Sequence, residues 1–214
     1  MSTNASTVYV IDDDTSLSQA LCLLFESAGL SCQTYSDVED FLAAEIGPEP
    51  GCLVLDVRLP GINGLEFQSK LGEYGINLPV VMMTGHADVP MSVRAMKAGA
   101  VDFLPKPFGD QELLDAVGIA IEKDCAARRN SSTVSGVVQM FQAMSLRERQ
   151  VMTLVTSGLL NKQVAGQLGL SEISVKIHRG SAMRKMGART LPDLVRMAEI
   201  VRGTRMMADE RLEV

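Results

Sequence analysis

Cysteine and histidine are scarce in this sequence, and tryptophan is absent. The four cysteines include no CxxC pair, and only His86 and His178 could join them in a metal cluster, which disfavours a zinc site. We interpret the cysteines as buried free thiols, with a redox switch at Cys125, in a predicted linker, as the alternative. The other three are Cys22, Cys32 and Cys52.

Long apolar runs and a leader-like start are also missing. No apolar run approaches the ~18 residues that a membrane span needs. The opening MSTNAST lacks the basic start and apolar middle of a signal peptide. We therefore expect a cytoplasmic protein without a membrane partner. Its 214 residues favour two small domains over one large one.

Charge divides unevenly along the chain. Residues 1–124 contain six basic and 19 acidic residues, a net charge of −13. Residues 145–205 contain 11 basic and four acidic residues, a net charge of +7. Opposite signs indicate different partners for the two halves, and a small basic domain is typical of proteins that bind a phosphate backbone.

In the first half, short apolar runs alternate with helical patterns. This alternation predicts an α/β domain over residues 1–124, in which helices cover both faces of a five-stranded parallel sheet. The predicted strands are 7–11, 32–35, 52–55, 79–83 and 101–104, and the predicted helices are 15–28, 37–45, 64–72, 89–98 and 110–123.

A loss of periodicity marks the predicted domain boundary. The stretch CAARRNSSTV, from Cys125 to Val134, gains Ser, Asn and Arg, so we expect the fifth helix to fray there. A helical extension or linker over 125–143 would then join the first domain to a second one over 144–214.

The second domain is predicted to be all helical, because its sequence carries several helix-start signals. Ser145 and Glu148 form a capping box, and Asn161 and Ser171 are suitable N-cap residues. The predicted helices are 146–157, 162–168, 172–186 and 191–202, of which the first three close at Gly158, Gly169 and Gly187.

Polar side chains follow four of the five predicted strands. Because ligands bind beyond the carboxyl ends of parallel strands, we expect these side chains to meet at one edge of the sheet. The alternative is a solvated rim of helix caps, which is the better interpretation for Asp14. The side chains are those of Asp12, Asp13, Asp14, Asp56, Thr84 and Lys106.

Such a pocket is suited to phosphoryl transfer. Clustered carboxylates repel one another and need a cation, and an all-oxygen site that receives a phosphoryl group suits Mg²⁺. An ionised Asp56 can then act as nucleophile toward phosphorus, while Lys106 pairs with a phosphoryl oxygen and Thr84 donates a hydrogen bond to the same group.

The motifs DDD, LVLDVRLPGINGLEF and VVMMTGHADVPMSVRAMKAGAVDFLPKPF, followed by a helical half, resemble two-component response regulators of the FixJ/NarL class. The resemblance implies a flavodoxin-like receiver domain with strand order 2-1-3-4-5. It places the phosphoacceptor at Asp56, the metal ligands at Asp12, Asp13, Asp56 and the carbonyl of Arg58, and the phosphate-pairing lysine at Lys106.

The same resemblance implies a conformational switch that responds to phosphorylation. Thr84 would supply the switch hydroxyl and Phe103 the switch aromatic ring, although an aromatic side chain at a strand end can also simply pack in the core. The family usually has a cis peptide bond before the proline that matches Pro107. His86 is interpreted as a partly exposed loop residue rather than a catalytic acid or base.

The helical half, with GLLNKQVAGQLGLSEISVKIHRGSAMRKMG, resembles the LuxR-type helix-turn-helix. On the predicted helix 172–186, one face is expected to pack and the opposite face to stay free. The packed face carries Val175, Ala182 and Met186, with His178 at its edge. The free face carries Ile173, Lys176, Ile177, Gly180 and Arg184.

A free face with a lysine and an apolar residue suits the major groove, where lysine reads guanine and an apolar side chain meets a thymine methyl. An ordinary solvated face is the alternative. Asn161, Lys162 and Arg179 are better placed for phosphates, and Lys185 could serve likewise. Gly180 departs from the family, whose members often carry a side chain there that reaches a base.

These features predict a transcription regulator, not an enzyme. Its expected partners are a sensor histidine kinase, double-stranded DNA, a second copy of the chain after phosphorylation, and RNA polymerase. One alternative is a DNA-binding regulator that works without phosphorylation. Another is a phosphohydrolase of the haloacid-dehalogenase type, in which Asp12 would be the nucleophile.

Overall fold

The structure is a computed structural model that describes the backbone of residues 6–210 and the side chains of residues 6–204. It divides into two compact units between Arg128 and Arg129. Within these described ranges, no helix has both the length and the apolar character needed to cross a membrane.

The first unit is built on five parallel strands in the order β2-β1-β3-β4-β5, which confirms the predicted fold. The strands are β1 (Thr7–Ile11), β2 (Ser31–Tyr35), β3 (Gly51–Asp56), β4 (Val80–Thr84) and β5 (Asp102–Pro105). The helices between and after them are α1 (Thr15–Ser27), α2 (Val38–Ala43), α3 (Gly64–Lys70), α4 (Val89–Lys97) and α5 (Asp110–Gln142).

Burial explains why the strand sequences are short and apolar. Every residue of β1, β3 and β4 is buried, as expected for strands that are covered on both faces. Side chains alternate between two apolar clusters, so Tyr9 and Ile11 belong to one cluster and Val8 and Val10 to the other. β2 lies at the sheet edge and is largely exposed.

The second unit is helical, with α6 (Leu146–Thr156), α7 (Asn161–Leu168), α8 (Glu172–Lys185) and α9 (Leu191–Glu210). The predicted capping box of Ser145 and Glu148 is present, and the hydroxyl of Ser171 caps α8 by accepting a hydrogen bond from the backbone N–H of Ser174. The prediction for α7 was wrong by one position, because Leu160 is its N-cap and Asn161 is its first helical residue.

The expectation that α5 frays near Cys125 was wrong. The helix continues to Gln142, since Ser, Thr and Asn within a helix can remain exposed while Val137 and Phe141 supply a new buried face. The placement of the linker at 125–143 remains a prediction.

Not all the cysteines are free thiols. Cys22 of α1 and Cys32 of β2 form a disulfide bond, because these two elements pack together and bring the Cα atoms to 5.3 Å. Cys52 is a buried free thiol as predicted, and Cys125 is free and partly buried.

Candidate functional site

Parallel strands bring the predicted pocket residues to one edge of the sheet. Asp12 directly follows β1, Asp56 ends β3, Thr84 ends β4 and Lys106 follows β5. Three of these residues are buried, with exposed fractions of 2% for Asp12, 4% for Asp56 and 0% for Thr84.

The ammonium of Lys106 joins the two buried carboxylates. Its Nζ lies 2.6 Å from Oδ2 of Asp12 and 2.7 Å from Oδ1 of Asp56. The backbone N–H of Lys106 also donates to the carbonyl of Thr84, at 2.7 Å. Groups up to 94 positions apart in sequence therefore meet at one point, as the sequence predicts.

The remaining oxygen of each carboxylate accepts a hydrogen bond from a backbone N–H. Arg58 donates to Oδ2 of Asp56 at 2.6 Å, and Asp14 donates to Oδ1 of Asp12 at 2.9 Å. These bonds hold both carboxylates in fixed orientations. The side chain of Asp14 instead caps α1 by accepting from Ser16 and Leu17, which confirms its predicted role as a helix cap.

Burial and pairing act in opposite directions on the pocket charges. Burial raises the pKa of Asp56 more than the hydrogen bonds from Lys106 and Arg58 lower it. Burial alone would lower the pKa of Lys106, but its hydrogen bonds to Asp12 and Asp56 outweigh that effect and raise it. Lys106 therefore stays charged at neutral pH.

The predicted switch residues Thr84 and Phe103 lie on the neighbouring strands β4 and β5. The hydroxyl oxygen of Thr84 accepts a hydrogen bond from the backbone N–H of His86, at 3.3 Å. Phe103 is partly buried and packs against the apolar cluster that contains Met82. His86 is exposed in the loop after β4. The Lys106–Pro107 peptide bond is cis, as the family resemblance implies.

Only part of the predicted metal site is assembled. Asp13 is exposed, and no three His, Cys, Asp or Glu side chains within residues 6–204 are grouped to hold a metal ion. Asp12 and Asp56 nevertheless fit a hard cation, since they are buried carboxylates that share one counter-ion. A cation such as Mg²⁺ keeps several waters and needs only one or two protein carboxylates.

A second candidate site is the exposed face of α8. Val175, Ala182 and Met186 are fully buried, whereas Ile173 is 71% and Ile177 64% exposed. The predicted packed and free faces are therefore both confirmed. The free face also exposes Lys176, Gly180 and Arg184.

The start of α7 lies next to α8. The guanidinium of Arg179 donates to the side-chain oxygen of Asn161 at 3.4 Å, and the neighbouring Lys162 is exposed. These three residues, predicted to contact phosphates, thus form a cluster on the surface of the second unit.

Glu148, which the sequence predicted only as part of a capping box, also connects two helices. Glu148 accepts hydrogen bonds from the Ser145 backbone, the Ser181 hydroxyl and Nζ of Lys185, and so it ties α6 to α8. Its bonds to Lys185 and Ser181 lower its pKa to about 2. Its partners on α8 lie more than 30 positions away, and spacing alone gave no signal for them.

Comparisons with known proteins agree with the geometry of both units. Residues 8–118 match the response regulator receiver domain, and residues 142–198 match the bacterial regulatory proteins of the luxR family. Nodulation protein W of Bradyrhizobium diazoefficiens is 51% identical over 200 residues, which cover 92% of this chain and 88% of that protein.

Two further relatives span nearly the same length. The transcriptional regulatory protein FixJ of Azorhizobium caulinodans is 43% identical over 89% of this chain and 90% of its own. The solved structure of the response regulator StyR has a TM-score of 0.81 and 43% identity, and it covers 91% of this chain and 98% of its own. The chain belongs to the response regulators that join a receiver domain to a LuxR-type DNA-binding domain, and it regulates transcription in a two-component system.

Proposed function

We propose that Asp56 accepts a phosphoryl group from a cognate sensor histidine kinase and that this event controls dimerisation and DNA binding. The observation that carries the proposal is the meeting of two buried carboxylates with the Lys106 ammonium, at 2.6 and 2.7 Å. Such a site combines a nucleophile with a positive charge for a phosphoryl oxygen.

The chain's own groups perform the transfer. A carboxylate oxygen of Asp56 attacks phosphorus, the bond to the kinase histidine breaks, and Lys106 then pairs with an oxygen of the transferred group. Bound Mg²⁺ would neutralise negative charge on that group, held by Asp12, Asp13, Asp56 and the carbonyl of Arg58. The phosphoryl group stays on the protein's own side chain in this step, so we propose a regulator rather than an enzyme.

A conformational switch follows from the position of Thr84. Its hydroxyl can rotate to donate to a phosphoryl oxygen, and Phe103 can then turn in behind it. The adjacent helix α4 exposes Val89, Val93 and Met96, which lie three or four positions apart and so share one face. We propose that this face buries itself against a second copy of the chain after phosphorylation.

The exposed face of α8 is proposed to enter the major groove. Lys176, Ile177, Gly180 and Arg184 would face the bases, while Asn161, Lys162 and Arg179 would contact phosphates. Because its DNA-binding domain requires access to the chromosome, we place the protein in the cytoplasm. RNA polymerase is its proposed further partner.

A gel-shift measurement tests the proposal. Full-length protein is titrated onto genomic fragments with and without acetyl phosphate and Mg²⁺, and its oligomeric state is measured in parallel. We expect acetyl phosphate to promote dimers and to strengthen specific binding. The same affinity and oligomeric state under both conditions would instead support a DNA-binding regulator that works without phosphorylation.

A further inference from the structure

The disulfide between Cys22 and Cys32 joins the two elements that flank the aspartate pocket. α1 begins three residues after Asp12, and β2 forms the exposed edge of the sheet. The carbonyl of Tyr35, the last residue of β2, accepts a hydrogen bond of 3.1 Å from the backbone N–H of Asp12. The disulfide therefore links α1, which directly follows the pocket segment, to β2, whose last residue is hydrogen-bonded to that segment.

Both sulfur-bearing residues are accessible to small molecules. Cys22 and Cys32 are partly exposed, whereas Cys52 is fully buried. The proposed cytoplasmic location puts the protein in a compartment where low-molecular-weight thiols keep most cysteines reduced. A disulfide between partly exposed cysteines in that compartment is governed by thiol–disulfide exchange rather than fixed permanently.

We propose that Cys22 and Cys32 form a reversible redox site that exchanges with a low-molecular-weight disulfide such as oxidised glutathione. The oxidised bond holds α1 on β2 and orders the segment that carries Asp12, which gives the receiver domain a redox input beside its phosphoryl input. Only this functional consequence rests on the proposed phosphorylation of Asp56.

The Cys22–Cys32 disulfide forms in two thiol–disulfide exchange steps. The thiolate of one cysteine attacks a sulfur of oxidised glutathione, which releases one glutathione thiolate and leaves a mixed disulfide on the protein. The thiolate of the second cysteine then attacks the protein sulfur of that mixed disulfide and releases the second glutathione. Two protein thiols are oxidised, one glutathione disulfide is reduced, and the two protons from the protein thiols protonate the two released glutathione thiolates.

Counting thiols tests the redox site itself. The full chain with Cys125→Ser keeps three cysteines, and burial raises the pKa of the Cys52 thiol to about 12, so Cys52 does not exchange in the folded protein. The variant is equilibrated at a series of ratios of reduced to oxidised glutathione and then quenched with acid, denatured and alkylated. Mass spectrometry then counts the alkylated cysteines.

We expect one alkylated cysteine at the oxidising end of the series and three at the reducing end, with the same transition from either direction. Three labels at every ratio would show that the bond does not form. One label at every ratio would show a permanent bond. Either result would overturn the proposal.

Phosphorylation by acetyl phosphate tests the consequence. We expect faster incorporation into the oxidised protein than into the reduced protein, and a Cys22→Ser change in the same background should match the reduced protein in both buffers. Equal rates of phosphoryl incorporation in the two redox states would contradict the proposed effect of the disulfide on phosphorylation. No incorporation in either state would contradict the proposed role of Asp56, while the thiol counts would still decide whether the redox site exists.

Discussion

Glu148 at the start of α6 accepts a hydrogen bond of 2.8 Å from Nζ of Lys185 in the last turn of α8. The same carboxylate accepts from the Ser145 backbone and the Ser181 hydroxyl. A single buried carboxylate thus fixes α8, the helix proposed to read DNA, against the N-terminus of α6.

This relationship predicts acid sensitivity of the second unit. The pKa of Glu148 is lowered to about 2 in the folded chain, below its ordinary value of 4.5. Its contribution to stability is therefore present above pH 4.5 and is lost as the pH falls toward 2. In Glu148→Gln, the unfolding midpoint of this unit should be lower at neutral pH and should fall less between pH 5 and 3.

Thermal unfolding of the full chain, followed by circular dichroism, measures both effects. Glu199→Gln, which changes an exposed carboxylate of α9, serves as the matched control and should behave like the wild type. A Glu148→Gln protein with wild-type pH dependence would contradict the assigned role.

Lys176 is expected to read bases. Lys176→Ala should cost roughly 1 to 3 kcal/mol of binding free energy at the cognate site and relax base preference there, because a side chain in the groove is lost. Titrations against cognate and unrelated fragments measure this. A uniform loss across unrelated sequences would reverse the assignment of the groove-facing side of α8.

Lys162 is expected to contact phosphate, not bases. Lys162→Ala should weaken binding to all sequences about equally and reduce the magnitude of the salt slope by about one unit, because one fewer counter-ion is released. Affinities at several salt concentrations measure the slope. An unchanged slope would remove Lys162 from the proposed interface.

The two faces of α8 should respond differently to the same charge. Val175 is fully buried, so Val175→Asp should unfold the second unit by placing an unpaired carboxylate in an apolar cluster. Ile177→Asp is the matched control, because Ile177 is 64% exposed. It should keep the helical circular dichroism signal and lose DNA affinity. A folded Val175→Asp protein would contradict the assigned packing.

Lys106 is expected to couple phosphorylation to output. Lys106→Ala should still accept phosphate on Asp56 but should fail to dimerise in response, because no ammonium pairs with the phosphoryl oxygen. Loss of Lys106 also removes a charge that lowers the pKa of Asp56. As the pH falls, phosphoryl incorporation into Lys106→Ala should therefore decline at a higher pH than in the wild type. Light scattering measures dimerisation after phosphorylation. A wild-type dimerisation response in Lys106→Ala would contradict this role.

Much of the fold could be read from local patterns. The buried strands β1, β3 and β4 are short apolar runs, and the rule that parallel strands end at one edge was enough to bring Asp12, Asp56 and Lys106 together. The two faces of α8 followed from helical periodicity alone. Each of these features depends on residues close in sequence or on a general rule of sheet topology.

Other features depend on which elements pack together, and local patterns do not contain that information. Cys22 and Cys32 are not in a CxxC motif, and only the docking of α1 on the edge strand brings them into contact. The polar stretch after Cys125 suggested a linker, yet the helix continues because Val137 and Phe141 find apolar partners in the second unit. Glu148 was identified as a cap from its spacing to Ser145, but its bonds to α8 required the packed structure.

Phosphoryl incorporation measured on intact protein is the most direct test of Asp56 as the phosphoacceptor. Full-length wild type and Asp56→Asn are incubated with acetyl phosphate and Mg²⁺ and weighed as intact proteins, with Asp115→Asn, an exposed carboxylate of α5, as the control. We expect the wild type and Asp115→Asn to gain one phosphoryl group, and folded Asp56→Asn to gain none. A phosphoryl group on folded Asp56→Asn at the wild-type level would contradict the assignment of Asp56 as the acceptor.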